Sequence, residues 1–218
     1  MTAIAAPTPD RPPRTLSREA RRLQLIEATI ETLAQRGFSR TTLTEVARTA
    51  GLSHGLVLFH FETKEKLLAE TLAFLAEEYR ANWSSALDAA GPLPAAQLNA
   101  LIEADFNLTV FTPARLSAWC AFWGEAQSRP LYQQSCGAKD ESYNRRREGI
   151  VARLLAEGGY PGSPERLARI VRVTIEGVWL DMMTMSTPYP APEALATVRL
   201  CAARLFPAHF DEGGPIQR

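Results

Sequence analysis

The stretch from Thr42 to Lys64 holds side chains suited to gripping a polyanion by non-covalent contact rather than to breaking bonds. Thr42-Leu43-Thr44-Glu45 has the form of a capping box, in which the Thr42 hydroxyl takes an orphan amide at a helix start and Glu45 reaches back. Ser53 can cap a second helix shortly afterwards. Ala50-Gly51-Leu52-Ser53 lies between the two: Gly51 can reverse the chain with positive φ, Leu52 can plug the gap, and small Ala47 and Ala50 allow close crossing. Two short helices joined in this way make a helix-turn-helix, whose second helix offers its N-terminal turn to base edges in a major groove. Phosphate contacts fix position and base contacts fix sequence. Thr42, Ser53 and Lys64 are therefore candidates for positioning, and His54, Gly55, Leu56 and His60 for the groove, with Thr44 and Phe59 in the same DNA-facing set.

A second group of residues suggests a small-molecule site. Ala-Trp-Cys-Ala-Phe-Trp sets Trp119, Phe122 and Trp123 at spacings of three and four, on one side of a helix. Further on, Trp179 stands between Glu176 and Asp181. Indole faces next to an acid suit a quaternary ammonium ligand, because the ring quadrupole stabilises a desolvated cation. Trp119, Phe122, Trp123 and Trp179 are the candidate wall; Glu176, Asp181 and Asp105 are candidate charge partners. Aromatic stripes also pack as ordinary core, and the residues alone favour that use. Each acid can equally be a surface group or one half of an ion pair.

Other chemistry finds little support. There is no GxSxG, P-loop, GxGxxG or HExxH, and the three histidines have no Cys/His spacing around them, so no catalytic, metal or cofactor site is expected. The acid pairs Glu77-Glu78 and Asp140-Glu141 sit among charged neighbours and read as solvated faces. Cys120, Cys136 and Cys201 are sparse and scattered, the pattern of reduced thiols in a cytoplasmic protein. No run approaches the roughly 18 apolar residues of a membrane span.

The elements that must position these groups are helical. Turn signals divide the 218 residues into helix-length segments without strand alternation, which predicts an all-α fold. After a disordered tail over 1–16, Ser17 caps a helix with Leu23, Ile26, Ile30, Leu33 and Ala34 as its buried stripe, stopping at Gly37. A helix-turn-helix head over 17–62 is followed by a larger regulatory, ligand-binding and dimerisation body over 63–210, and 211–218 should fray. Within the body, helices are expected from near Thr63 to about Leu87, Ala95 to about Val110, Pro113 to about Ser128, Pro130 to about Glu157, Pro164 to about Met185, and Pro192 to Phe206. The chain balances 24 basic against 24 acidic residues, but 1–66 holds ten basic to seven acidic, a modestly basic front on an acidic body. Arg11, Arg14, Arg18, Arg21 and Arg22 near its start can form an arm into a minor groove.

The run TLTEVARTAGLSHGLVLFHFETKEKLL resembles the DNA-binding signature of the TetR family of bacterial regulators. The likeness lies in the Thr-rich cap, the Ala-x-x-Ala-Gly turn, Ser-x-Gly opening the recognition helix, Phe61 closing it, and Lys64-Glu65-x-Leu67. Leu58 is a departure, since many relatives carry an aromatic there; leucine cannot donate to phosphate, so that contact is lost or moves to His60. AWCAFWGEAQSRPLYQQ and TIEGVWLDMM are similar to the choline-sensing repressors of the BetI type within that family. The resemblance implies a homodimer, a palindromic double-stranded operator as partner, and release by a small effector of the choline class. It also implies an interface within 164–206, where Ile170, Val171, Val173, Ile175, Val178, Val198, Leu200 and Leu205 supply apolar surface. An unrelated hydrophobic or aromatic effector, or a helical ligand-binding protein or enzyme without DNA binding, are the alternatives.

Overall fold

The computed structural model describes residues 17–107, 109–110, 112–124 and 129–216. The tail over 1–16 with Arg11 and Arg14, and the expected helix end near Ser128, lie outside them. Ser17 Oγ accepts from the Ala20 amide at 3.1 Å and opens α1 (Arg18–Arg40). Leu25, Ile26, Ile30 and Leu33 are its buried face. Leu23, expected in that stripe, is exposed, because Leu25 takes the inward position. Gly37 interrupts the helix where the stripe is expected to stop. At φ 74° it kinks the chain, which then adds one more turn that swings Phe38 inward.

The next two helices are short, and each is held at its start by a hydroxyl. Thr42 caps α2 (Leu43–Ala50) by accepting from the Glu45 amide at 3.2 Å. The return half of the expected capping box is replaced: Glu45 Oε2 instead binds Arg36 and Arg48, both at 2.9 Å. Gly51 closes α2 in the left-handed conformation, φ 65°. Ser53 then starts α3 (His54–Phe61), and Thr63 starts α4 (Lys64–Ala89).

The body follows as α5 (Pro94–Ala104), α6 (Pro113–Gly124), α7 (Arg129–Gly158), α8 (Pro164–Thr184) and α9 (Ala191–Leu205). α5 stops short of the expected Val110 because Asp105 turns its carboxylate into the interior, onto Tyr79 and Tyr143. Residues 211–216 do not fray. Phe210–Asp211 (β1) pairs with Gly214–Pro215 (β2) in a small hairpin, and buried Phe210 packs by Phe206.

Two apolar clusters share the interior. One joins α1, α2, α3 and the first half of α4, and takes in Ala118, Phe122 and Cys136 from α6 and α7. The other fills the body around Trp83, Leu101, Val151, Val171 and Phe206. The expected division between 62 and 63 is therefore not a packing boundary, since α4 and α6 belong to both clusters. Among the described residues no helix is long and apolar enough to cross a membrane.

Candidate functional site

The outer face of the head is built on α3. Ser53 Oγ accepts from the Leu56 amide at 3.3 Å, and the other orphan amides of that turn form a ready anion site. His54 and Gly55 are exposed, and one turn later so are Leu58 (39%) and Phe59 (64%). Val57 and Phe61 face inward and seat the helix, with Leu56 half-buried between the two faces. Thr44 Oγ1 lies 3.3 Å from His54 Nδ1, which links the starts of α2 and α3. Arg18 sits over the Phe59 ring at 5.5 Å, so the first turn of α1 borders the same face.

Two expected DNA contacts have other surroundings. Lys64 Nζ donates to the carbonyls of Phe38 and Ser39 at 3.3 and 3.4 Å and lies over the Phe38 ring. It secures the last turn of α1. His60 is half-buried; its burial, and then Arg18, Arg21 and Arg22, hold the imidazole below the usual histidine range. A neutral ring can donate one hydrogen bond to phosphate but brings no charge, so His60 does not replace a cationic grip.

A cavity of about 560 Å³ lies between α4, α6, α7 and α8. Its rings form a box: Trp119 stands 6.0 Å from Trp123, 6.3 Å from Tyr132 and 6.5 Å from Tyr79, and Tyr79 is 6.3 Å from Trp179. At the base is Asp105, 1% exposed. Its carboxylate accepts from Tyr79 Oη at 2.5 Å and Tyr143 Oη at 3.1 Å, and Arg147 Nη2 is 3.9 Å away. Burial pushes Asp105 up to about 6 against the opposing pull of Arg147 and the two tyrosines. Trp179 Nε1 donates to the Asp105 carbonyl at 3.1 Å, which fixes that ring against the floor.

Asp140 occupies the opposite wall. It accepts from Tyr132 Oη at 2.8 Å, and among the described residues no Lys or Arg comes within 4.0 Å of it. Burial raises its pKa against the pull of the Tyr132 hydrogen bond, while Glu176 adds to the rise and Arg172 opposes it. Glu176 itself is paired with Arg172 Nη1 at 2.7 and 2.9 Å. The box thus presents stacked rings and a carboxylate without an ion-pair partner, an arrangement able to hold a desolvated organic cation.

Head and cavity share α6. Arg115 donates to Glu78 at 2.6 and 2.8 Å and to Glu27 at 3.0 Å, tying α6 to α4 and α1.

Residues 25–71 match the family described as bacterial regulatory proteins, tetR family, and residues 94–207 match the BetI-type transcriptional repressor C-terminal family. A relative named HTH-type transcriptional regulator BetI, from Paraburkholderia phymatum, is 31% identical over 186 residues, 84% of this chain and 91% of that protein. The chain belongs to the TetR family. A transcriptional regulator from Pseudomonas aeruginosa PAO1 has a TM-score of 0.74 at 26% identity, covering 88% of this chain and 93% of the other. One from Saccharomonospora viridis, solved in complex with choline, has a TM-score of 0.72 over 83% and 94%; at 16% identity it shows the fold alone. As a TetR-family member with a BetI-type C-terminal part, the chain is a DNA-binding transcriptional regulator and not an enzyme.

In this TetR-family regulator the head gathers Thr44, Ser53, His54, Gly55 and Phe59 on one exposed surface, with Thr42 exposed at the start of α2. The cavity gathers Trp119, Trp123, Trp179, Glu176 and Asp105. Phe122 does not join them. It is 1% exposed and meets Phe38 edge-on at 5.8 Å, because its position on α6 is turned roughly 100° from Trp123 toward the head. Asp181 is also outside, roughly 140° round α8 from Glu176, where it accepts from Tyr189 Oη at 3.1 Å. Asp140 is not the solvated acid its neighbours suggest. It lines the cavity, as do Tyr79, Tyr132, Tyr143, Arg147 and Arg172, none of which sequence reasoning selected. A usable signal exists for Tyr132 and Asp140, which lie eight residues apart and so share a helix face.

Proposed function

We propose that this TetR-family regulator is a homodimeric repressor whose heads read a palindromic duplex operator and whose cavity binds a quaternary ammonium compound of the choline class, which releases the DNA. The observation that carries the effector is Asp140, a carboxylate without an ion-pair partner inside the box of Trp119, Trp123 and Tyr132. An ammonium about 5 Å from it gains on the order of 3 kcal/mol at an effective dielectric near 20, and desolvated cation–π contact adds about 2 kcal/mol. An uncharged isostere of the same shape has neither term. The choline complex of a regulator with this fold agrees with the same chemistry.

Residues 17–62 serve as the DNA-binding unit and 63–210 as the regulatory one in this reading. Thr42, Thr44 and Ser53 meet phosphates, and His54, Gly55, Leu56 and Phe59 face the groove. Lys64 holds the end of α1 close to that backbone. The dimer forms through α8 and α9, where Ile170, Val173, Leu180 and Leu200 are exposed while Val171, Ile175, Val178 and Val198 fill the protomer's own core. Two-fold pairing supplies the two heads that a palindrome requires.

Calorimetry with choline and with 3,3-dimethyl-1-butanol, its uncharged isostere, tests the effector. Choline is expected to bind at least ten-fold more tightly; equal affinity, or none for either, sinks the cation reading. A gel shift with DNA upstream of the gene tests the regulator: specific, salt-sensitive binding is expected, and choline should abolish it.

A further inference from the structure

A second cavity adjoins the aromatic one and shares part of its lining. A chamber of about 190 Å³ is lined by Glu148, Glu165, Arg169 and Ala168, and it shares Asn144, Arg147 and Arg172 with the aromatic box. The two differ in the chemistry of their walls, one mostly aromatic and the other polar. The box holds three carboxylates, Asp105, Asp140 and Glu176, against the guanidinium groups of Arg147 and Arg172. The second chamber holds Arg147, Arg169 and Arg172 against Glu148 and Glu165. Arg147 and Arg172 belong to both linings and stand at the boundary, and Arg169 is the cation that the second chamber adds.

Arg147 makes this more than a surface ion cluster. It is 2% exposed, yet the nearest carboxylate among the described residues is Asp105 at 3.9 Å, beyond direct hydrogen-bond reach. Its guanidinium stacks on the Tyr143 ring at 4.2 Å. Arg169 has no carboxylate within 4.0 Å among the described residues, although Glu148 and Glu165 line the same chamber. Buried guanidinium groups ordinarily take carboxylate or phosphate, often in bidentate fashion. A simple cation such as choline gives buried Arg147 and exposed Arg169 no anionic partner and brings its charge toward Arg147.

We propose that the effector is zwitterionic, a trimethylammonium group joined by a short chain to a carboxylate or phosphate, with the ammonium in the aromatic box and the anion on Arg147, Arg169 and Arg172. The inference rests on the cation reading of the box and adds the second half of the ligand. The flexible link runs past Asn144 and Arg172, which line both chambers. Ligand charges then face opposite protein charges at both ends, and a molecule lacking either end fills only one compartment.

Calorimetry on the full-length protein with choline, carnitine and phosphocholine is the test; the last two separate a carboxylate from a phosphate end. At least one of them should bind ten-fold or more tightly than choline. Arg169→Gln, a change at an exposed side chain outside the aromatic box, should remove that preference and leave choline affinity within about two-fold. Arg172→Gln should remove it as well, with melting curves of both variants confirming the fold. If choline binds as tightly as both zwitterions, or the preference survives both substitutions, the two-compartment ligand is wrong and the cation reading stands. If none of the three ligands binds, the cation reading fails, and this inference fails with it.

Discussion

Asp105 and Asp140 are carboxylates of one chamber in different settings. Asp105 accepts from two tyrosines with Arg147 close by, whereas Asp140 has one tyrosine and feels Arg172 only at longer range. Burial lifts Asp105 to about 6 from the usual 3.8, so the folded protein favours its protonated form. Its contribution to stability is therefore full below about 4 and is lost as pH rises from there through 6. A bound cation favours the ionised form, so its dependence runs the other way. Choline affinity is expected to fall as pH drops from 7 through 6 toward 5, the charged groups facing Asp105 being Arg147 and Glu176. Calorimetry across that range checks it, and Asp105→Asn should flatten the profile; an unchanged profile in that variant assigns the titration elsewhere. Asp140→Asn should cost about a hundred-fold in choline affinity, roughly 3 kcal/mol, and still leave the protein folded.

At the scale of the helix, α6 sorts its aromatic residues by direction. Trp123 faces the cavity, Phe122 faces the head core, and Trp119 lines the cavity while also packing on the head cluster. Phe122→Ala is expected to destabilise the protein by about 3–5 kcal/mol, the usual range for truncating a buried Phe, and to leave choline affinity of the folded fraction nearly unchanged. Trp123, 44% exposed, should behave oppositely, with little loss of stability and several-fold weaker binding on change to Ala. Thermal melts paired with calorimetry separate the two, and a binding defect without a stability defect in Phe122→Ala contradicts this division. The same helix shows how far the sequence is readable. Hydroxyl caps at Ser17, Thr42, Ser53 and Ser163, with Pro94 and Pro164 at helix starts, announce boundaries that local bonding alone sets. Spacing likewise reveals that Trp119, Phe122 and Trp123 are inward, but not which of two interiors each one enters. That depends on Phe38 and Tyr132, tens of residues away or on another helix. Asp140 and Arg147 were hidden for a related reason. They sit in a run of charges that looks solvated, and only the packing of α4 and α8 on α7 buries them. The hairpin at 210–215 is a tertiary effect too, because Phe210 finds Phe206.

For the whole molecule, α6 is the element that joins the cavity to the head, through apolar packing on α1 and one polar tie. Arg115 joins α6 to Glu78 on α4 and Glu27 on α1. Arg115→Met should leave choline affinity within about three-fold and reduce the ability of saturating choline to release operator in a gel shift. Normal release in that variant would show that the link is not used. Ligand binding should also stabilise the fold, by about 2.7 kcal/mol at a hundred times the dissociation constant, visible as a rise in melting temperature that Asp140→Asn diminishes. Helix α6 carries one further consequence. Its cavity rings and its contact with Phe38 point in different directions from a single rod, and Phe38 lies on the last turn of α1 beyond the Gly37 kink, under Lys64. A rod with faces of this kind works as a camshaft: a roll of about 10° at a radius of ~5 Å sweeps each side-chain tip through roughly 1 Å. In the proposed reading, a roll that fits Trp119 and Trp123 to a guest displaces Phe122 by a similar amount against Phe38 at the end of α1. The signal thus needs no long chain of intermediaries, only rotation of one helix about its axis.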